Sequence, residues 1–199
     1  MRGLGEVEDI AQFRRAGLRG GAAGFTRANQ QYLVVGRSAL DDNSAGHSFS
    51  LWCKAATLPA HGSTERSFLL ESTLDGSITG SSGYNISLGF RTGDTADKVN
   101  LELFTHTLQP AVSTSTAPTA LAQGPFVCYL DRSLFANTWA HVAVTFDSAK
   151  LRLHVNGAQV AEHALPIPGP ASEMGGLVIG GHRNGTGRNF DGLIDEVAL

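Results

Sequence analysis

Cysteine is scarce in this chain: Cys53 and Cys128 are the only two among 199 residues, and no C-x-x-C pair exists. The lack of such a pair argues against a thiolate zinc site. Each cysteine shares strand parity with apolar neighbours, Cys53 with Phe49 and Leu51, Cys128 with Phe126 and Leu130. The pattern reads as two separate buried thiols, with a bridge between them as the alternative. Basic residues are not in excess. The net charge of −3 at pH 7 implies no face for nucleic acid. No apolar run approaches the roughly 20 residues of a membrane-spanning helix, and the opening MRGLGEVEDI lacks the apolar centre of a signal peptide.

What is present is strand and turn. Hydrophobic residues make up 42%, enough for a packed core, and 24 glycines suit many tight turns. The most informative stretch runs from Asn137 to Leu165. Val142, Val144 and Phe146 alternate with Ala143, Thr145 and Asp147, and Leu151, Leu153 and Val155 alternate with Arg152, His154 and Asn156. A period of two marks half-buried strands. Asn156-Gly157 follows, the dipeptide favoured in type I′ hairpin turns because both central residues take positive φ. Three strands in a row form an antiparallel meander.

The same alternation recurs at 48–54, 84–90, 99–104 and 126–130, with short apolar strands at 32–35, 68–71, 177–179 and 193–199. Residues 107–125 are rich in Thr, Ser and Pro and read as a long loop with at most one edge strand. The one helix-like segment is 4–16, in which acidic residues precede basic ones as the helix dipole favours. Glycines from Gly17 to Gly24 read as a flexible linker after it. Ten or more strands without intervening helices predict a two-sheet antiparallel sandwich or jelly roll. The division is 1–24, helix and linker, then 25–199, the domain.

Four stretches carry a family resemblance: FTRANQQYLVV at 25–35, HSFSLWCKA at 47–55, NTWAHVAVTFDSAKLRLHVNGAQV at 137–160 and LVIGGHRNGTGRNFDGLIDEVAL at 177–199. Their order and spacing resemble the laminin-G-like, concanavalin A-like jelly-roll superfamily. The resemblance implies a non-catalytic extracellular module that binds carbohydrate or a cell-surface protein, secreted or displayed at the cell surface within a multidomain protein. It also allows a purely structural spacer repeat, and a diverged glycoside hydrolase. In the resembling family a tail helix follows the Ile-Asp-Glu-Val strand. The segment 3–13 looks like such a tail, as if belonging to a preceding repeat of a tandem array.

The resemblance also implies a structural calcium ion at Asp195. Asp195 shares parity with Leu193, Val197 and Leu199, so as part of a regular strand it points inward and needs a partner. Calcium and a cap of backbone N–H groups are both open readings. Thr26 and Arg27 stand where the family often has an acidic residue, which counts against the metal. For a ligand, the loop with His182, Arg183, Asn184, Arg188 and Asn189 offers donors and acceptors suited to sugar hydroxyls, with a plain Gly-rich hairpin loop as the other reading. The glucanases of the superfamily carry two glutamates and an aspartate alternating on one strand. Here Glu71 and Glu102 are lone strand acids and the Glu6-Val7-Glu8-Asp9 cluster lies outside the sandwich, so no enzyme is expected.

Overall fold

In the computed structural model the described residues are 14–18, 20–36, 47–73, 84–109, 119–147, 149–166, 176–182 and 187–199. They form thirteen strands in two antiparallel sheets. The seven-stranded sheet runs in the order β1 (Arg14–Gly17), β2 (Gly20–Phe25), β13 (Gly192–Ala198), β4 (His47–Ala55), β9 (Ala140–Phe146), β10 (Lys150–Val155) and β11 (Ala158–Ala164). The six-stranded sheet runs β3 (Leu33–Gly36), β12 (Gly176–Ile179), β5 (Arg66–Thr73), β6 (Tyr84–Thr92), β7 (Lys98–Gln109) and β8 (Thr119–Asp131). This is a jelly-roll sandwich.

The alternating residues of the meander line the core. Val142, Val144, Phe146, Leu151, Leu153 and Val155 are all buried, opposite Leu70, Ile86, Leu88, Phe90, Leu101 and Leu103 from the other sheet. Phe90 packs edge-on against Phe135 with ring centroids 4.8 Å apart. Burying such side chains is the main term holding the sheets together. Asn156 and Gly157 take φ of 51° and 82°, the I′ pattern. The Asn156 Oδ1 accepts the His141 N–H at 2.9 Å, tying the turn back to β9. Both thiols are free and buried, Cys53 on β4 and Cys128 on β8.

Two expectations need correction. The end of the expected helix, 14–16, falls in strand β1, and 20–24 of the expected linker fall in strand β2. The two pair as a hairpin, and β2 pairs in turn with β13, so the sheet reaches back to Arg14. Sheet hydrogen bonding overrides the weak local preference of a Gly- and Ala-rich segment. The remainder of the expected helix, 4–13, lies outside the described residues. Similarly, much of the expected 107–125 loop is the outer half of the β7–β8 hairpin, in which Gln109 pairs with Thr119.

Candidate functional site

Register decides which side chains of the six-stranded sheet face away from the core. Across β5, β6, β7 and β8, one row reads Arg66, Arg91, Asn100, Tyr129, and the next reads Phe68, Gly89, Glu102, Val127. A third joins Val178, Glu71, Ser87 and Phe104. Leu70, Leu88 and Leu103 alternate with these and pack inward. The outer face of this sheet is therefore polar and aromatic. Sequence reasoning missed it, because Glu71 and Glu102 look isolated until register places them on one face.

Glu102 is only 2% exposed, a depth at which a carboxylate needs paired donors. The Arg66 fork supplies them: Nε donates to Oε2 at 3.0 Å and Nη2 to Oε1 at 3.3 Å, with Arg91 Nη1 3.7 Å from Oε1. Glu71 is equally buried, with its Oε2 3.7 Å from His182 Nε2. Their strands flank β6, which separates the two backbones by about 10 Å. Among the described strands, none carries the alternating acid triplet of the glucanases. Two further groups on this face are buried without a hydrogen-bond partner, Ser87 Oγ and Asn100 Oδ1.

The segment after β12 borders this face. The His182 ring stacks on Phe68 at 5.7 Å, the Arg188 guanidinium lies over the same ring at 5.8 Å, and Arg188 Nη1 is 3.3 Å from His182 Nε2. Asn189 is buried, its Nδ2 donating to the Gln31 carbonyl at 3.3 Å. The structure thus brings together His182, Arg188 and Asn189 of the expected ligand loop. Arg183 and Asn184 lie outside the described residues. A cavity of about 520 Å³ opens at the rim of the other sheet beside Lys54, Asn137 and Asp191. There Asp191 is already engaged, accepting the Thr57 hydroxyl at 2.9 Å and the Arg27 N–H at 3.4 Å.

Asp195 does not point inward. Ile194 pairs with Cys53 and enters the core, whereas Asp195 pairs with Trp52 on the outer face. An irregularity between Asp195 and Ala198, with Glu196 at φ 46°, then returns Val197 to the core side. The parity argument fails because it assumes an unbroken strand. The Asp195 Oδ2 accepts the Leu18 N–H and its Oδ1 the Glu196 N–H, both at 2.9 Å. Gly17 permits this approach, since a Cβ there would stand 2.5 Å from Oδ2. Among the described residues, no group of three or more His, Cys, Asp or Glu gathers to hold a metal ion. One carboxylate facing two N–H donors is a poor match for calcium, which takes six to eight oxygens. The described donor set fits the capped carboxylate better than the ion.

This geometry belongs to a known class. A laminin-G model described as the concanavalin A-like lectin/glucanases superfamily matches residues 27–199, and the chain belongs to that family. No curated protein matches. Similar solved structures include domain 4 of AbnA, a GH43 extracellular arabinanase from Geobacillus stearothermophilus, in complex with arabinotriose. That match has 18% identity, 92% of this chain and 72% of that one, and a TM-score of 0.49. The botulinum neurotoxin serotype G binding domain is 9% identical over 90% of this chain and 39% of its own, with a TM-score of 0.52. The enzymatically active domain of bacteriophage CBA120 tailspike protein 2 is 14% identical over 89% and 25%, with a TM-score of 0.54. At such identities the likeness is one of fold.

Proposed function

We propose that this chain is a non-catalytic carbohydrate-binding module whose ligand lies along the outer face of the six-stranded sheet. One observation carries the reading: Ser87 and Asn100 hold buried polar atoms without partners on a face rich in guanidinium and aromatic groups. Buried polar groups are nearly always hydrogen-bonded, so two open ones on a single face support a partner there, a ligand group or an ordered water. Tyr129, 56% exposed on the Asn100 row, offers a ring for the apolar face of a sugar. Membership of a family of lectins and glucanases supports the same reading. Secretion or cell-surface display, an adhesion role and neighbouring repeats in a larger protein belong to this proposal. So does a cell-surface protein as the alternative partner.

A glycan array tests it. Saturable binding, competed by free sugar and weakened about tenfold in Tyr129→Ala, supports the module. A folded protein that binds no glycan would favour the spacer reading, or a protein partner. Release of reducing sugar, abolished by Glu71→Gln or Glu102→Gln, would establish a hydrolase instead.

A further inference from the structure

At the edge of the outer face a cavity of about 310 Å³ is lined by Arg27, Gln30, Glu65, Arg66, Arg188 and Asn189, among others. Three guanidinium groups meet there, on a protein of net charge −3. Their compensation is uneven. Arg66 is committed to Glu102 through its fork. Arg27 Nε donates to the Asn189 carbonyl at 3.1 Å, and its Nη1 lies 3.5 Å from Glu65, a half-exposed carboxylate. Arg27 Nη2 is buried without a partner, and Arg188 stands beside His182 over an aromatic ring. No described carboxylate forms an ion pair with Arg188.

A second observation is independent of charge. Asn189 is 1% exposed, and its Oδ1 has no hydrogen-bond partner. The Nδ2–H donation to Gln31 fixes which end of that amide is open. The pocket therefore leaves a buried cationic donor and a buried neutral acceptor unsatisfied. Gln30 and Arg188, both lining it, are held at φ of 53° and 55°, a region that non-glycine residues seldom adopt. Such backbone persists where surrounding structure imposes it, and it concentrates at ligand sites.

We propose that this pocket takes an oxyanion carried on a sugar, a carboxylate or a sulfate ester, so that the module recognises acidic glycans. The inference rests on the glycan-binding reading above. The guanidinium groups of Arg27 and Arg188 receive the oxyanion, and a neighbouring sugar hydroxyl donates to Asn189 Oδ1. Arginine suits this task because its planar fork matches the geometry of such oxygens.

The test is an array of neutral, uronate-bearing and sulfated saccharides, followed by calorimetry on the binders, with inorganic sulfate titrated separately against the arginine Nε–H resonances. Acidic saccharides should bind about tenfold tighter than neutral ones and weaken as salt is raised. Preference between uronate and sulfate identifies which oxyanion is read. Arg188→Gln, exposed and without an ion pair among the described residues, should reduce acidic binding to the neutral level at unchanged melting temperature; Arg27→Gln should reduce acidic binding likewise, with a lower melting temperature from the lost contacts to Asn189 and Glu65. Equal binding of neutral saccharides, or variants without effect, would overturn the inference and leave the glycan reading standing. If no saccharide binds, the glycan reading fails and the sulfate titration decides the pocket. Saturable shifts at Arg27 and Arg188 retain an oxyanion site, and unmoved resonances remove it.

Discussion

Glu102 shows how one side chain organises a surface. Its carboxylate is buried on the outer face and held by the Arg66 fork, with Arg91 nearby. Removing one partner of a buried pair leaves the other uncompensated, so Glu102→Ala should lower unfolding free energy by about 3 kcal/mol, read from urea midpoints. Cys53 makes a different case. Complete burial pushes its thiol from 9.0 up to about 12. Below pH 9 both folded and unfolded chains hold the proton, and the contribution to stability is full. As pH rises from 9 towards 12 the unfolded thiol ionises while the buried one does not, so stability falls through that window. Cys53→Ala should flatten this part of the pH–stability curve, and native Cys53 should resist alkylation at pH 8.

At the scale of elements, legibility followed hydrophobic rhythm. Strands β4, β6, β9 and β10 could be read because Phe49, Leu51, Ile86, Leu88, Val142 and Leu153 fall at every second position. Strand β2 could not, since Gly20-Gly21-Ala22-Ala23-Gly24 has no such rhythm and becomes a strand through its partners β1 and β13. The outer half of β8, Thr119-Ala120-Leu121-Ala122-Gln123, also lacks a run of large apolar residues at every second position and becomes strand by pairing with β7. The candidate site was half legible. His182, Arg188 and Asn189 were found from a polar run, but Glu71, Ser87, Asn100 and Glu102 are brought together by register, which no local window contains. Besides the β2–β13 ladder, the turn of the β1–β2 hairpin is tied down by one carboxylate, and this gives a prediction. Asp195→Ala should raise amide exchange at Leu18 and along Arg14–Gly17 before it affects the meander. If Asp195 serves as that anchor, chelator should leave the melting temperature of the unmutated protein unchanged. A rise on adding calcium, lost in Asp195→Asn, would restore the ion.

For the whole molecule, the two faces of the sandwich divide the labour. The facing sheets bury aliphatic and aromatic side chains between them, and Leu153→Ala in that layer should cost about 2–5 kcal/mol by thermal or chemical unfolding. The outer face of the seven-stranded sheet carries the exposed Arg152 network with Asp147 and Glu162, in which hydrogen bonds from Arg152 and Lys150 lower both carboxyl pKa values. That network contributes above the ordinary carboxylate range and is lost on acidification. The proposed glycan-binding face is the opposite one, the outer face of the six-stranded sheet.

The place of β13 between β2 and β4 has a consequence for how the protein is made. Of the described strands, a ribosome delivers the β1–β2 hairpin before β4 and β13 after it, and the clasp from Leu18 to Asp195 spans 177 positions of sequence. Until β13 emerges, β2 and β4 each present an open edge, with unpaired amide groups able to join a neighbouring nascent chain. Assembly dominated by such distant pairings proceeds on the order of milliseconds to seconds. The vulnerable period in the life of this protein is therefore the interval between the synthesis of β4 and the arrival of the strand that separates it from β2.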